Sequence, residues 1–289
     1  MDNVFNFTIF KPTGHLSAYI QAVWSASVPT DCSSDINRWL HGDGGSGILF
    51  NLSSDIFLND EPLSSGVVFT PVSKQDESVT LPGGSQLVGF RFHPAIGFAL
   101  FGKHYTSPTT LTDKTDLSKA LYRLYEELKS TPSHYAHITM LYRWLTTSID
   151  FTDKIPEPLL LTLNLARKRK ASKRLYENST LSQRQLERQF QKWVDMTPKQ
   201  YQRILRVRQS LDVLKQNPDT GLVALALSHG FSDQAHMTRE FNQIAKITPR
   251  QYSKRVACRQ KKEMGSGLAF HIERDGVRSE EMGSEHSFL

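Results

Sequence analysis

Two clusters of polar side chains in the C-terminal half have the types and spacing needed to read nucleic-acid bases. The first holds Gln183, Arg184, Glu187, Arg188 and Gln191, and the second holds Asp233, Gln234, His236, Arg239 and Glu240. Arg, Gln and Glu can hydrogen-bond base edges in a major groove, while Arg and Lys also hold phosphates. A solvated helix face is the plainer reading of either cluster alone. The decisive point is that the clusters are copies of one another.

Shifting the chain by 51 residues pairs Gln183 with Gln234, Arg188 with Arg239 and Phe190 with Phe241. The same shift pairs Thr197-Pro198 with Thr248-Pro249 and Gln200-Tyr201 with Gln251-Tyr252, seven identities across 19 positions. The repeated residues make structural sense. Ser182 is a good N-cap and Gln185 completes a capping box, with Leu181 and Leu186 placed as a hydrophobic staple. Leu186, Phe190 and Trp193 form an inward seam, matched by Met237, Phe241 and Ile244 behind a cap at Ser232. Each Thr-Pro pair places a cap and an N1 proline ahead of a further helix.

These elements imply two helix-turn-helix units. The second unit opens with a helix over residues 222–229, closed by Gly230, which takes a left-handed turn at no steric cost. The first opens at about residues 168–177. Between the copies, residues 198–216 read as one helix with Ile204, Val207, Leu211 and Leu214 on one face. Such a helix spans roughly 28 Å at ~1.5 Å per residue. Successive major-groove faces on one side of B-DNA are ~34 Å apart. One chain can therefore fill two adjacent major grooves of double-stranded DNA, whereas the deep, narrow major groove of RNA excludes helices.

Charge supports a polyanionic partner. The net charge of +6 conceals a block at residues 160–262 with 22 Lys and Arg against seven Asp and Glu, a balance of +15. Residues 1–159 balance at −5 and residues 263–289 at −4. No run approaches the roughly 18 apolar residues of a membrane span, and the N-terminus lacks the pattern of a secretory leader. Cys32 and Cys258 offer neither a disulfide framework nor metal-ligand spacing, in keeping with a reducing cytoplasm.

The fold class expected is α+β, a β-rich N-terminal domain followed by an all-α domain of two helix-turn-helix units joined by a linker helix. Ile48-Leu49-Phe50, Gly66-Val67-Val68-Phe69 and Leu87 to Phe92 read as strands. Leu117, Leu121, Leu124 and Leu128 fall at helical spacing, as do Ile138, Leu141, Leu145 and Ile149 behind a Ser133 cap, and these stripes could form a dimer seam. Pro156 and Pro158 separate a domain over residues 1–155 from one over 160–258, and the Gly- and Ser-rich tail 259–289 is expected to be poorly ordered. Gly42, Gly44, Gly45 and Gly47 lack the Lys-Ser/Thr of a phosphate loop and read as a flexible turn. His41, His93 and His104 lack paired spacing, so neither a metal site nor a cofactor is expected.

The segment from Ala226 to Phe241 (ALSHGFSDQAHMTREF), ending at Thr248-Pro249-Arg250-Gln251-Tyr252, closely resembles the AraC/XylS family of bacterial transcription regulators. By that resemblance, base contacts come from Arg184, Glu187 and Arg188 in the first unit and from Gln234, His236 and Arg239 in the second, with Gln183 beside them. The chain departs from the family at turns that often carry Gly, where it has Thr180, Asp195 and Lys246. Asn178 is an alternative left-handed residue in the first unit. The resemblance implies a non-enzymatic cytoplasmic regulator, more often an activator than a repressor. It leaves room for RNA polymerase, a small-molecule effector at the N-terminal domain and a second copy of the chain as partners. An architectural DNA binder stands as the alternative, and a DNA repair or modification enzyme as a weaker one.

Overall fold

The computed structural model describes residues 5–151, 155–168 and 179–265. Among them are the strands β1 (Asn6–Phe10), β2 (Ile20–Ser27), β3 (Ile36–Leu40), β4 (Gly47–Asn51), β5 (Ile56–Leu58), β6 (Glu61–Leu63), β7 (Gly66–Thr70), β8 (Glu77–Leu81), β9 (Gln86–Phe92) and β10 (Thr109–Thr110). They form a six-stranded sheet in the order β1-β2-β9-β4-β7-β10 and a four-stranded sheet in the order β3-β8-β5-β6. The three apolar runs of the sequence are β9, β4 and β7, the middle of the larger sheet. Their runs are unbroken because both faces are covered. Leu49, Val68 and Leu87 point into the core shared with the smaller sheet, while Ile48, Phe50, Val67, Phe69, Val88 and Phe90 point the other way, toward helices.

Those helices are α1 (Ile96–Phe101), α2 (Asp116–Lys129) and α3 (His134–Thr147). Ser133 caps α3 as expected, accepting a hydrogen bond from the Ala136 N–H. Helix α2 packs on β7, and α3 on β2 and β9. Leu121, Leu124, Leu128, Ile138, Leu141 and Leu145 are all buried there. The stripe that could have formed a dimer seam is covered by the chain's own sheet.

The helical domain comprises α4 (Glu157–Lys168), α5 (Gln183–Val194), α6 (Pro198–Gln216), α7 (Leu222–Ser228), α8 (Gln234–Ile244) and α9 (Pro249–Gly265). Helix α6 is its axis, touching α5, α8 and α9. Ile204, Val207, Leu211 and Leu214 are buried along it, the face read from the sequence. Helix α9 continues to Gly265, beyond the boundary expected at residue 258, and the rest of the tail lies outside the described residues. One continuous cluster of buried apolar side chains runs from the larger sheet through α2 and α3 into this helical domain.

Candidate nucleic-acid interface

Local chemistry accounts for both candidate reading helices. At the start of α5, the Ser182 hydroxyl accepts from the Gln185 N–H and the Gln185 side chain accepts from the Ser182 N–H, completing the expected capping box. Thr197 with Gln200, and Thr248 with Gln251, repeat the arrangement at α6 and α9. The cap of α8 is Asp233 rather than Ser232. Its carboxylate accepts from the His236 N–H at 2.6 Å, while Ser232 donates to Asp233. The repeat explains the correction, because Asp233 is the residue 51 positions after Ser182. A carboxylate also suits the positive end of the helix dipole, and the His236 N–H holds this carboxyl below the usual carboxylate range.

The turns that lack glycine still adopt the backbone that glycine favours. Asp195 has φ 55° and Lys246 φ 52°, alongside Gly230 at φ 76°. Thr180 is not among the described residues with positive φ, and Asn178 lies outside the described residues. So does most of the first unit's opening helix, expected over residues 168–177. The described helix α4 ends at Lys168 and packs against α5.

Exposure separates the candidate residues. Gln183, Arg184, Glu187, Arg188 and Gln191 are all exposed on α5, with Gln183 donating to Glu187 at 3.0 Å. The inward seam of α5 is Leu186, Phe190 and Val194. Trp193, assigned to that seam from spacing, is only partly buried and instead packs edge-to-face on Phe98 of α1 at 5.2 Å. On α8, Met237, Phe241 and Ile244 form the seam as expected, and Gln234 and Arg239 are exposed.

His236 and Glu240 behave differently. Glu240 is 4% exposed, so it leaves the polar face on which the sequence placed it. It accepts from Arg203 Nε at 3.0 Å and from Arg206 Nη2 at 2.9 and 3.1 Å, both on α6. His236 is half-buried and edge-on to Phe231, with Nε2 3.2 Å from Glu240 and Nδ1 3.2 Å from the Ser232 N–H. If Nδ1 accepts from that N–H, Nε2 carries the proton donated to Glu240. A buried carboxylate thus ties the second candidate reading helix to the linker helix. No local signal announces this pairing, because its arginines stand 34 and 37 positions away in sequence.

A second arrangement that the sequence did not disclose joins the two domains. The glycine-rich segment is not a flexible turn, because Gly42 to Gly47 are buried. Gly44, at φ 69°, faces the Tyr201 ring, which a Cβ would meet at 3.1 Å. A Cβ on Gly45 would fall 2.2 Å from the Phe92 carbonyl. Burial pushes the Tyr201 phenol up to about 12, so it stays neutral. Asp43 holds Arg91 through two hydrogen bonds of 2.6 and 3.2 Å. Burial alone would raise the Asp43 carboxyl, but Arg91 and then Arg208 outweigh it and hold it below its ordinary value.

Around this loop the N-terminal domain touches the C-terminal ends of both candidate reading helices. At α5, His104 donates to the Lys192 carbonyl at 2.9 Å and Lys74 pairs with Asp195 at 2.7 Å, beside the Phe98–Trp193 contact. At α8, the Asp76 N–H donates to the Ile244 carbonyl at 2.6 Å. Between them, Arg208 of α6 donates to Gln21 at 2.9 Å. The three histidines considered as metal ligands take part in separate contacts: His41 with Asp76, His93 with the Ser17 carbonyl and His104 with Lys192. Among the described residues no three His, Cys, Asp or Glu side chains are grouped to hold a metal ion. No described helix is long and apolar enough to cross a membrane.

Residues 176–255 match the family model described as a helix-turn-helix domain, over the span where the duplicated, capped helices stand. These residues form a helix-turn-helix domain of that family. Residues 8–115 match a second model, described as a domain of unknown function (DUF6597). No curated protein matches the chain. Among solved structures it is similar to a transcriptional regulator with an AraC-type DNA-binding domain from Chromobacterium violaceum. That likeness has 25% identity and a TM-score of 0.32, covering 35% of this chain and 92% of the other. It is also similar to ToxT from Vibrio cholerae, at 10% identity and a TM-score of 0.44, covering 87% of this chain and 98% of ToxT. A ToxT structure bound to (E)-4-(8-methylnaphthalen-1-yl)but-3-enoic acid gives 10% identity and a TM-score of 0.46, covering 88% and 100%.

Proposed function

We propose that the chain is a transcription regulator of the AraC/XylS family that lays α5 and α8 in successive major grooves of double-stranded DNA, and that its N-terminal domain controls the angle between them. Arg184, Glu187 and Arg188, with Gln183, serve the first groove, and Gln234 and Arg239 serve the second. The observation that carries the control is the three-point contact: the N-terminal domain holds the C-terminal end of α5, the C-terminal end of α8 and the linker α6 between them. A small molecule that favours one seating of this domain changes DNA occupancy by its difference in affinity for the two seatings. The family resemblance favours activation through RNA polymerase in the cytoplasm, with a second copy of the chain as a further partner.

Footprinting of the full chain tests the DNA reading. Two protected blocks about one helical turn apart, on one side of the duplex, are expected. Uniform coating without defined sites would favour the architectural alternative. The control is tested by pairing Lys74→Glu with Gln21→Ala, two changes at the domain boundary and away from the reading faces. A several-fold change in DNA affinity with unchanged melting supports it. Affinity identical to the parent protein's would refute it.

A further inference from the structure

The two units are built alike, yet they differ at an exposed position near the start of the helix, where a recognition helix meets base edges. Counting from the caps Ser182 and Asp233, the second helical residue is Arg184 on α5 and Ala235 on α8, paired by the same 51-residue shift as the rest of the repeat. Both are exposed, and both lie one turn before the conserved-by-repeat arginine of the same helix, Arg188 or Arg239. Helix-turn-helix readers contact base edges with the N-terminal residues of this helix. His236, the neighbour of Ala235, is half-buried with both ring nitrogens held by Ser232 and Glu240. Glu240, one turn further on, is buried against the two arginines of α6.

We infer that Ala235 is a specificity-determining residue of the second unit, its methyl group reading the 5-methyl of a thymine, and that His236 is a positioning residue rather than a base contact. This rests on the DNA-binding reading above and refines it. An alanine at the groove offers only apolar contact, and among the bases only thymine presents a methyl group in the major groove. At the equivalent place in the first unit, Arg184 has the paired donors that suit guanine O6 and N7. The duplicated scaffold therefore reads two different half-sites. His236 instead braces the start of α8, bridging Ser232 ahead of the cap to Glu240 and, through it, to α6.

The test uses the full chain and a DNA site found by footprinting. Each thymine of the α8 half-site is replaced in turn by uracil, which lacks only the methyl group. One replacement should weaken binding about fourfold, the value of one buried methyl-sized group. Ala235→Gly should bind thymine and uracil equally at that position, while His236→Gln keeps the parent protein's discrimination there even if its overall affinity falls. Comparing the two DNAs on each variant cancels any loss of folding. Ala235→Arg should move the preferred base at that position toward guanine by about tenfold in a randomised-site selection. Tolerance of uracil at every position, or loss of a base preference on His236→Gln alone, would overturn the inference. If the protein had no defined site at all, the DNA-binding reading would fall first, and Ala235 with it.

Discussion

Replacing Glu240 by alanine should destabilise the protein and disable one reading helix while sparing the other. The carboxylate is 6% exposed and receives Arg203 at 3.0 Å, Arg206 at 2.9 Å and His236 at 3.2 Å. Removing one partner of a fully buried ion pair costs about 3–5 kcal/mol, whereas an exposed pair contributes about 0–1 kcal/mol. The partners here keep 29%, 18% and 30% of their side-chain surface in solvent, so water recovers part of the loss. A cost of about 2–3 kcal/mol follows, between those two limits. For a chain of this size that lowers the melting midpoint by roughly 3–5 °C. Helix α5 has no contact with this carboxylate among those described, so its half of the footprint should persist at high protein concentration while the α8 half fades. Glu240→Gln keeps the shape but not the charge facing two guanidinium groups, and should fall between. Circular dichroism melts and footprints on one DNA fragment read both effects. A Glu240→Ala protein melting within about 1 °C of the parent protein, with both half-sites protected, would refute the reasoning.

Arg188→Ala and Arg239→Ala should each weaken specific binding by ~1–3 kcal/mol if the arginine reads a guanine. A phosphate contact would instead weaken all sequences alike and reduce the salt slope, which titrations at several salt concentrations distinguish. Lys246→Gly should raise stability by up to about 1 kcal/mol, because φ 52° strains any side chain but not glycine; a lower melting temperature would show that the Lys246 side chain contributes more than the strain costs. Burial, then Arg167, lowers the His93 imidazole from 6.5 to about 3, so the folded protein keeps it neutral. Between those values the unfolded chain binds a proton that the folded one refuses. Stability should therefore fall as the pH drops below 6.5, by about 2 kcal/mol at pH 5. His93→Gln should remove that share of the slope in urea melts, and an unchanged slope would contradict the assignment.

Periodic and local features were legible in the residues alone, because a cap, an N1 proline or an apolar seam depends on neighbours three or four positions away. That is why the 51-residue repeat, the bounds of α6 and the central strands β4, β7 and β9 follow from sequence. The cap of α8 was misplaced by one residue only because Ser232 and Asp233 are both good caps, and the repeat itself favours Asp233. Contacts between distant segments were not legible. Nothing near Glu240 marks it as buried, since its burial depends on two arginines arriving from α6. Nothing near Gly44 and Gly45 separates a flexible turn from a loop too crowded for a side chain, because Tyr201 and the Phe92 carbonyl supply the crowding. Trp193 shows the same limit: helical spacing places it beside the α5 seam, and only Phe98 on another domain draws it outward. Sequence by itself determined that this protein carries two capped, duplicated helices on a basic domain. Tertiary structure decided which of their side chains stay at the surface and what holds the helices at their mutual angle, because burial and long-range pairing are properties of the folded whole.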